Sequence, residues 1–346
     1  MKEMISINIE KQKKAEIIAK EFNEYMQEWH SFTQPYDDKM DADIFERYAR
    51  VLKEQSVWGY FNFKKNPKGN ERPFYSPSNA GISDRELYER ARGSKRNPAE
   101  FSVNQRYWVA TGGVLGEYLQ REILLAERHY KKLTGKTPPF RMKRKDNGDP
   151  MYEHFVKKMH EVEHNGEEFA YFGLPDGVLE YIDKDTGEVI DVGLEIKSEQ
   201  ASWSKFKSLG EPKNGHIDQT IMYSDMYGFE YVVIAYILSY GRGWFEDFNR
   251  LKTFGRHISE DDRNKLRDRC ADATKRAREG NPPKIDLDTW AFNDYKTAIA
   301  ESLSEEEFDE IKDQVRRILK SGLPDWKKQN YYDAFEFIKS VREAEY

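Results

Sequence analysis

Two apolar runs joined by a short polar segment constrain the fold of this chain more than any other feature. The first run covers Phe172–Ile182 and the second covers Val189–Ile196, with Asp-Lys-Asp-Thr-Gly at 183–187 between them. Aspartate and glycine favour tight turns, because aspartate bonds to nearby backbone and glycine adopts left-handed conformations. The pattern therefore predicts a β-hairpin.

Charged residues lie at one end of this predicted hairpin. Asp176 opens the first strand, and Glu195 and Lys197 close the second with one residue between them. Side chains alternate across a strand, so Glu195 and Lys197 share a face, and an antiparallel neighbour can bring Asp176 alongside. Two carboxylates can hold Mg²⁺ or Mn²⁺, and the lysine can orient or deprotonate a water on the metal.

The same residue types could form an ordinary ion pair at a strand end, which is common on sheet surfaces. Here the pair stands among Val192, Leu194 and Ile196, so the charges are expected to be partly buried. Buried charges need a partner or a metal ion. The neighbouring residues therefore favour a metal site.

These residues resemble the motif of the PD-(D/E)xK nuclease superfamily. Pro175-Asp176 is followed, after the hairpin, by Glu195-Ile196-Lys197. The surroundings are similar to the RecB-like branch, which includes virus-encoded (phage) DNA exonucleases and CRISPR-associated nucleases. The resemblance covers about residues 74–240.

Three further segments agree with the RecB-like pattern, in order along the chain. Residues 76–81 (SPSNAG) with 85–88 (RELY) are similar to the segment that opens many of these domains. Residues 113–117 (GVLGE) resemble a helical motif whose glutamate joins the metal site. Residues 219–223 (QTIMY) match the helix that follows the catalytic lysine.

The sequence departs from the family pattern at two positions. Many RecB-like nucleases have a metal-binding histidine before the helical glutamate, where this chain has Gly116, so the resemblance implies an all-oxygen metal shell. Members with an iron–sulfur cluster use four cysteines, whereas Cys270 is the only cysteine here and Ser83 stands at about one of those positions. A four-thiolate cluster is therefore excluded.

The resemblance also implies roles for individual residues. Metal binding falls to Asp176, Glu195, the Ile196 carbonyl and Glu117, and the catalytic set adds Lys197 and Gln219. The residues expected near the substrate are Ser76, Ser78, Arg85, Tyr88, Trp203, His216 and Tyr223. Two of these assignments have plain alternatives, because Glu117 could be a solvent-facing helix residue and His216 a helix-cap residue.

The fold implied by the resemblance is α/β, a restriction-endonuclease-like core in which helices flank a mixed central sheet. We expect the nuclease core at 74–245, a helical N-terminal region at 1–73, and a helical C-terminal region at 246–346 packed on the core. The nearly all-apolar run Tyr231–Tyr240 predicts a buried central strand.

Helical periodicity and capping residues predict several helices. These cover about residues 9–29, 83–92, 102–133, 259–278 and 304–320. Another helix is expected after Met40, with Asp41 or Asp43 as its cap.

Residues 160–164 (HEVEH) fit a zinc-protease motif, which requires both histidines on one helical face. Asn165-Gly166 follows at once and is a strong hairpin signal. We therefore predict that Met159–His164 is a strand paired with Glu168–Phe172. A zinc hydrolase based on His160 and His164 is the less favoured interpretation.

Composition sets broader limits. With 346 residues and 38% hydrophobic content, the chain can bury a sizeable core. It has no apolar run of membrane-spanning length, and its N-terminal residues lack the apolar core of a signal peptide. Together with a single cysteine, these features predict a soluble cytoplasmic protein, in the host cytoplasm if the chain is viral.

A formal net charge of −6 argues against a uniformly basic coat for nucleic acid. Basic clusters nevertheless occur at 85–96, 131–145 and 263–278. Most such clusters are simply exposed surface, although one could line a path for phosphates.

The resemblance implies a Mg²⁺- or Mn²⁺-dependent DNA exonuclease of recombination, replication or end processing. DNA is the expected partner. A homo-oligomer or a recombination or replication partner protein is also compatible, since one branch of the family forms a ring of subunits. The alternatives are a DNA endonuclease and a DNA-binding or regulatory protein that has lost catalysis, which only Gly116 favours.

Overall fold

The computed structural model describes residues 2–57, 61–99, 101–239 and 248–344, with side chains described from residue 7 onward. The α-helices of these ranges are Lys2–His30 (α1), Asp38–Gln55 (α2), Asp84–Arg92 (α3), Val103–Thr134 (α4), Trp203–Lys207 (α5), Asn214–Tyr227 (α6), Glu260–Glu279 (α7), Lys296–Ser302 (α8), Glu305–Leu319 (α9) and Asp325–Ala344 (α10). The strands are Phe74–Tyr75 (β1), Phe140–Met142 (β2), Lys158–His164 (β3), Glu167–Gly173 (β4), Gly177–Ile182 (β5), Val189–Glu199 (β6), Tyr231–Leu238 (β7) and Leu251–His257 (β8).

A five-stranded sheet in the order β2-β5-β6-β7-β8 forms the centre of the fold. Strands β6 and β7 run parallel, and the other neighbours are antiparallel. Helices flank this mixed sheet, which confirms the predicted α/β class. The predicted buried strand is β7, although Tyr240 at its expected end lies outside the described residues.

The predicted hairpin is formed by β5 and β6. Their register runs from Gly177 opposite Leu194 to Ile182 opposite Val189. In the turn, the Gly187 amide donates to the Asp183 carbonyl at 2.8 Å, and glycine is needed there because its φ is +73°. The hairpin predicted from the apolar runs is confirmed.

Helices α1 and α4 cover one face of the central sheet. Helix α1 crosses β8 so closely that a Cβ at Gly255 would lie 1.9 Å from the Ala15 carbonyl oxygen. Phe22 of α1 packs edge-on against Phe140 of β2, with ring centroids 5.2 Å apart. The predicted N-terminal helical region therefore shares its core with the sheet.

The other face of the sheet packs against α6 and α7 and a small sheet of order β1-β4-β3. Cys270 of α7 is fully buried in this second core. Its carbonyl accepts a hydrogen bond from the Tyr75 hydroxyl at 3.0 Å, which ties β1 to α7.

The predicted hairpin around Asn165-Gly166 is confirmed. Strands β3 and β4 are antiparallel, with Lys158 opposite Gly173 at one end and His164 opposite Glu167 at the other. Both turn residues have positive φ, +52° at Asn165 and +79° at Gly166. The two histidines of HEVEH therefore lie on a strand, where His164 pairs with Asp268 at 2.7 Å. The zinc-hydrolase interpretation is wrong, because its ligands require a helix.

Capping residues set the helix starts. Ser83 and Ser102 form capping boxes with Glu86 and Gln105, at the starts that the sequence predicts for α3 and α4. Helix α2 begins earlier than predicted, because Asp37 accepts a hydrogen bond from the Met40 amide at 2.9 Å. Asp37, and not Asp41 or Asp43, is the cap.

The C-terminal helices α8, α9 and α10 enclose a core of their own. The predicted boundary at 245/246 lies outside the described residues, and β8, which follows it, is the edge strand of the central sheet. None of the helices within the described ranges combines the length and the apolar character needed to cross a lipid bilayer.

Candidate active site

The first site residue, Asp176, lies where the β5–β6 hairpin ends. Backbone pairing stops at Gly177 and Leu194, so Asp176 stands one position beyond the last pair. Its carboxylate accepts a hydrogen bond of 2.6 Å from the Ile196 amide. The side chain thereby fastens the end of β5 to β6 in place of a further backbone pair.

Glu195 and Lys197 share the face of β6 that is turned toward α6. Leu194 and Ile196 alternate with them and pack in the opposite core, beneath α1 and α4. The Lys197 ammonium lies 2.6 Å from Glu195 Oε1 and donates to Gln219 Oε1 of α6 at 2.9 Å. The structure thus brings together four residues that the sequence predicted.

The Glu195 carboxyl is only 2% exposed, and its second oxygen, Oε2, is buried without a hydrogen-bond partner among the described residues. Burial raises the pKa of both Glu195 and Asp176, and the Glu195 charge raises that of Asp176 further. Leaving a carboxylate oxygen buried and unpaired is unfavourable. An oxygen-seeking divalent cation fits this deficit.

Sequence reasoning missed Glu153, a third acidic residue at this site. It lies in a short 3-10 turn between β2 and β3, and its carboxyl is within hydrogen-bonding reach of Asp176. Gln120 of α4 donates to Glu153 Oε1 at 3.2 Å and to the Asp176 carbonyl at 2.8 Å. Burial, and then the Asp176 charge, raise the pKa of Glu153 to about 7.

Glu153 also has an uncommon backbone conformation. Its φ is +47°, and the only other non-glycine residue with positive φ in the described ranges is Asn165. Glutamate in this region is strained, and such strain concentrates at functional sites. Because no periodicity or local motif marks this position, only the tertiary structure reveals it.

Glu117 is exposed on α4 and lines a cavity of about 400 Å³ between α2 and α4, together with Tyr48, Gln120 and Glu153. No three His, Cys, Asp or Glu side chains in the described part of the chain converge closely enough to hold a metal ion. Glu117 therefore does not complete a cluster with Asp176 and Glu195 among the described residues, and its metal contact stays a prediction.

Tyr223 acts on the site through the backbone. Its buried hydroxyl donates to the Leu174 carbonyl at 2.6 Å, two residues before Asp176. Burial raises the pKa of this phenol, and the Glu195 and Asp176 charges raise it further, so it stays a donor. Through this bond Tyr223 holds the segment that carries Asp176, and its contact with substrate stays a prediction.

His216 and Trp203 lie near the same end of β6. The His216 Nδ1 atom is 2.7 Å from the Tyr236 hydroxyl, and burial followed by the Lys197 charge lowers the pKa of His216 to about 4. The imidazole is therefore neutral at pH 7. Trp203 packs edge-on against Phe248, with ring centroids 4.9 Å apart. Their predicted substrate contacts stay predictions.

Ser76 and Ser78 belong to a segment that packs against α6. A Cβ at Gly173, three residues before Asp176, would lie 2.8 Å from Pro77. Ser76 donates to the Asn79 side-chain oxygen at 2.5 Å, whereas Ser78 is exposed. The segment therefore lies near Asp176, and its contact with substrate stays a prediction.

Arg85 and Tyr88 do not face the site. Arg85 is 1% exposed, and its guanidinium donates to the Pro283 carbonyl at 3.0 Å and to the Ser302 hydroxyl at 2.9 Å. Tyr88 is also buried, beneath the guanidiniums of Arg85 and Arg92. Their predicted substrate roles are wrong, because this face of α3 packs against the C-terminal region.

Comparison with solved structures gives distant similarities. The crystal structure of SSO0001 aligns with a TM-score of 0.39 at 12% identity, over 79% of this chain and 100% of that one. An alkaline exonuclease (LHK-Exo) from Laribacter hongkongensis aligns with a TM-score of 0.31 at 12% identity, over 60% of this chain and 89% of that one. LHK-Exo in complex with dAMP gives 0.32 at 13% identity, over 60% and 88%. No family model and no curated protein sequence matches the chain.

Proposed function

We propose that this protein is a metal-dependent nuclease that hydrolyses phosphodiester bonds in DNA, most simply as an exonuclease. The observation that carries the proposal is the group formed by Asp176, Glu195 and Lys197 at the end of β6. Glu195 is buried and paired with the Lys197 ammonium, Asp176 beside it is partly buried, and Glu195 Oε2 has no partner among the described residues. A cation would satisfy this excess of acidic oxygen.

Asp176, Glu195 and the Ile196 carbonyl are the groups that would hold Mg²⁺ or Mn²⁺. Their donor atoms are all oxygen, which suits a hard divalent cation. When bound, such an ion supplies Lewis-acid chemistry at the scissile phosphate and makes water a stronger nucleophile at neutral pH. The proposed site uses no iron–sulfur cluster, because a four-thiolate cluster needs four cysteines and Cys270 is the sole cysteine of the sequence.

Lys197 supplies a positive charge at the place where negative charge develops on the phosphate. Its ammonium is held between Glu195 and Gln219, so it is oriented before the substrate arrives. A donor fixed in advance stabilises a transition state without reorganising during the reaction. Gln219 is the positioning residue for Lys197, and Tyr223 is the positioning residue for the segment before Asp176.

The choice of DNA as substrate, and of exonuclease over endonuclease, rests on the RecB-like resemblance of the motifs. The test is cleavage of end-labelled linear and covalently closed DNA, single- and double-stranded, with Mg²⁺, Mn²⁺ or EDTA. Wild type is compared with Asp176→Ala and Lys197→Ala. A matched control is Lys205→Ala, which removes an exposed lysine of α5.

We expect wild type and Lys205→Ala to shorten linear DNA in the presence of metal, and both site variants to be inactive. The labelled end then gives the polarity. Cutting of closed circles would identify an endonuclease with the same site. If wild type retains DNA without cleaving it, the proposal is overturned in favour of a binding protein. If Lys197→Ala is fully active, the assignment of Lys197 to the active site is overturned.

A further inference from the structure

The cavity between α2 and α4 adjoins the candidate active site. Two of the residues that line it, Gln120 and Glu153, contact Asp176 directly. Gln120 donates to the Asp176 carbonyl at 2.8 Å, and the Glu153 carboxyl is within hydrogen-bonding reach of the Asp176 carboxyl. With a volume of about 400 Å³, the cavity falls in the size range of small-molecule sites. A group bound there would therefore lie beside the carboxyls of the proposed reaction.

Much of the cavity wall is apolar or aromatic. Met40, Ile44 and Leu124 belong to the core that α2 and α4 share with the sheet, and they form part of this wall. Phe45 also lines the cavity and is 68% exposed, so its ring is open to another molecule. The Tyr48 ring is fixed edge-on against Phe155, with centroids 5.5 Å apart. Such rings offer a surface on which a flat aromatic group can stack.

Two hydroxyl groups of the cavity have no hydrogen-bond partner. Tyr48 and Tyr152 both line it, and neither hydroxyl bonds to another of the described residues. Burial raises the pKa of both phenols, and the nearby charges of Glu153 and Glu117 raise it further, so both stay protonated. Phenol donors and carboxylate acceptors together can bind a group that carries both acceptors and N–H donors.

The charges that line the cavity disfavour a phosphate as its occupant. Asp41 and Arg121 compensate each other at 2.7 Å, which leaves the carboxyls of Glu117 and Glu153 to set the local charge. An anion is repelled there. A nucleobase is uncharged, and it combines flat aromatic faces with donors and acceptors along its edges. It therefore matches the rings, the hydroxyls and the carboxyls of the cavity.

We propose that this cavity binds the base of a nucleotide next to the scissile phosphate. The base stacks on Phe45, and its edge bonds to the hydroxyls of Tyr48 and Tyr152. The inference rests on the proposed nuclease function and extends it, because it names a part of the DNA that the protein holds besides the phosphate. A base fixed in the cavity would position its own phosphate at Asp176, which favours reaction.

The test is fluorescence anisotropy of labelled single-stranded oligonucleotides binding to the full chain in Mg²⁺. The protein carries Lys197→Ala, which should bind DNA without cleaving it. One abasic residue replaces either of the last two nucleotides at the 5′ or the 3′ end, so a base is removed and every phosphate is kept. We expect the replacement at one of these positions to weaken binding about tenfold, as loss of one stacked base does.

Variants of the cavity locate the base. Adding Phe45→Ala should weaken binding of the intact oligonucleotide about tenfold, and the abasic replacement should then cause no further loss, because ring and base form one contact. Tyr48→Phe keeps the ring and removes one hydroxyl, which should weaken binding about threefold. The matched control is Phe292→Ala, which removes a 90% exposed phenylalanine of the C-terminal region and should leave binding unchanged.

An abasic effect of the same size with and without Phe45 would overturn the inference, because the base would then bind elsewhere. Equal binding of the intact and all abasic oligonucleotides would overturn it as well. Neither result affects the proposed nuclease function, whose test is cleavage of intact DNA by wild type. Absence of both cleavage and DNA binding in wild type would instead overturn the proposed function, and the inference with it.

Discussion

Glu153 is held in a left-handed backbone conformation with its carboxyl against that of Asp176. Both features oppose stability, because glutamate is strained at positive φ and two close carboxyls repel each other. Proteins keep such residues where function requires them. Glu153 is thus the most informative site residue that the structure reveals and the sequence did not.

We expect Glu153→Gln to stabilise the metal-free protein by about 1 kcal/mol, because the amide keeps the shape and removes the charge repulsion. The measurement is urea unfolding in EDTA at pH 7.5. The control is Glu163→Gln on β3, an exposed position where the change should stay within about 0.5 kcal/mol. A large loss of stability in Glu153→Gln would show that the carboxylate itself holds the turn.

At the scale of single residues, the sequence predicted the site residues whose positions follow from the alternation of side chains along a strand and from the residues of a turn. Asp176, Glu195 and Lys197 follow from the hairpin, since register fixes which side chains meet. Glu153 is 23 residues before Asp176 in the chain, with the β3–β4 hairpin between them, so no local pattern connects them. The residue type at Arg85 matches the family motif. Its burial, however, depends on packing against the C-terminal region, which a single sequence does not reveal.

At the scale of single elements, the N-cap of α2 is Asp37, which contacts a backbone amide and the side chain of another helix. Asp37 accepts from the Met40 amide at 2.9 Å and lies 2.7 Å from His129 Nε2 of α4. These contacts, the Met40 amide first, lower the pKa of Asp37 below its usual value. Asp37 therefore stabilises the fold in its ionised form.

The sign of the pH dependence follows from that lowered pKa. The stabilisation is present above the unfolded-state pKa of Asp37 and is lost as pH falls through the lower folded-state value. We expect Asp37→Ala to cost about 1 kcal/mol at pH 7 and progressively less below pH 4. Denaturant unfolding at both pH values measures this, with exposed Asp38→Ala as the control; a loss that does not change with pH would contradict it.

The crossing of α1 over β8 depends on the absence of a side chain at Gly255. A Cβ there would lie 1.9 Å from the Ala15 carbonyl oxygen, a backbone atom that cannot move aside alone. We expect Gly255→Ala to destabilise the protein by more than about 2 kcal/mol. In contrast, Gly116→Ala in α4, where nothing lies within 4 Å, should stabilise it by up to about 1 kcal/mol.

Thermal and denaturant unfolding of these two variants test whether α1 is an integral part of the core. Equal effects of the two alanines would contradict the close crossing. Helix α1 itself was predictable from its periodicity, but its place was not. The sequence placed it in a helical N-terminal region at 1–73 but did not show which face of the sheet it covers, because sequence distance says nothing about that.

For the molecule as a whole, Arg85 joins the core to the C-terminal helices. Its guanidinium lies 3.4 Å from Glu89 and 3.2 Å from Glu307, and the Arg85 and Glu89 side chains have no exposed surface. Removing one partner of a buried pair leaves the other charge uncompensated. The C-terminal region is therefore attached through a contact that tolerates little change.

We expect Arg85→Ala to lower stability by about 3–5 kcal/mol and to expose the chain around residues 283–307 to limited proteolysis. Lys95→Ala, which removes an exposed lysine just beyond the end of α3, should change neither. Protection from protease equal to that of wild type would show that the C-terminal helices are held by their apolar contacts alone.

The burial of Cys270 has a practical consequence for spectroscopy. The thiol is fully enclosed and is the sole cysteine in the chain, so thiol-reactive dyes should not reach it while the protein is folded. A cysteine introduced at an exposed position can then be labelled selectively, with the native residue left in place. Spin labels or fluorophores on α4 would thus report distances within and between molecules on an otherwise unaltered chain.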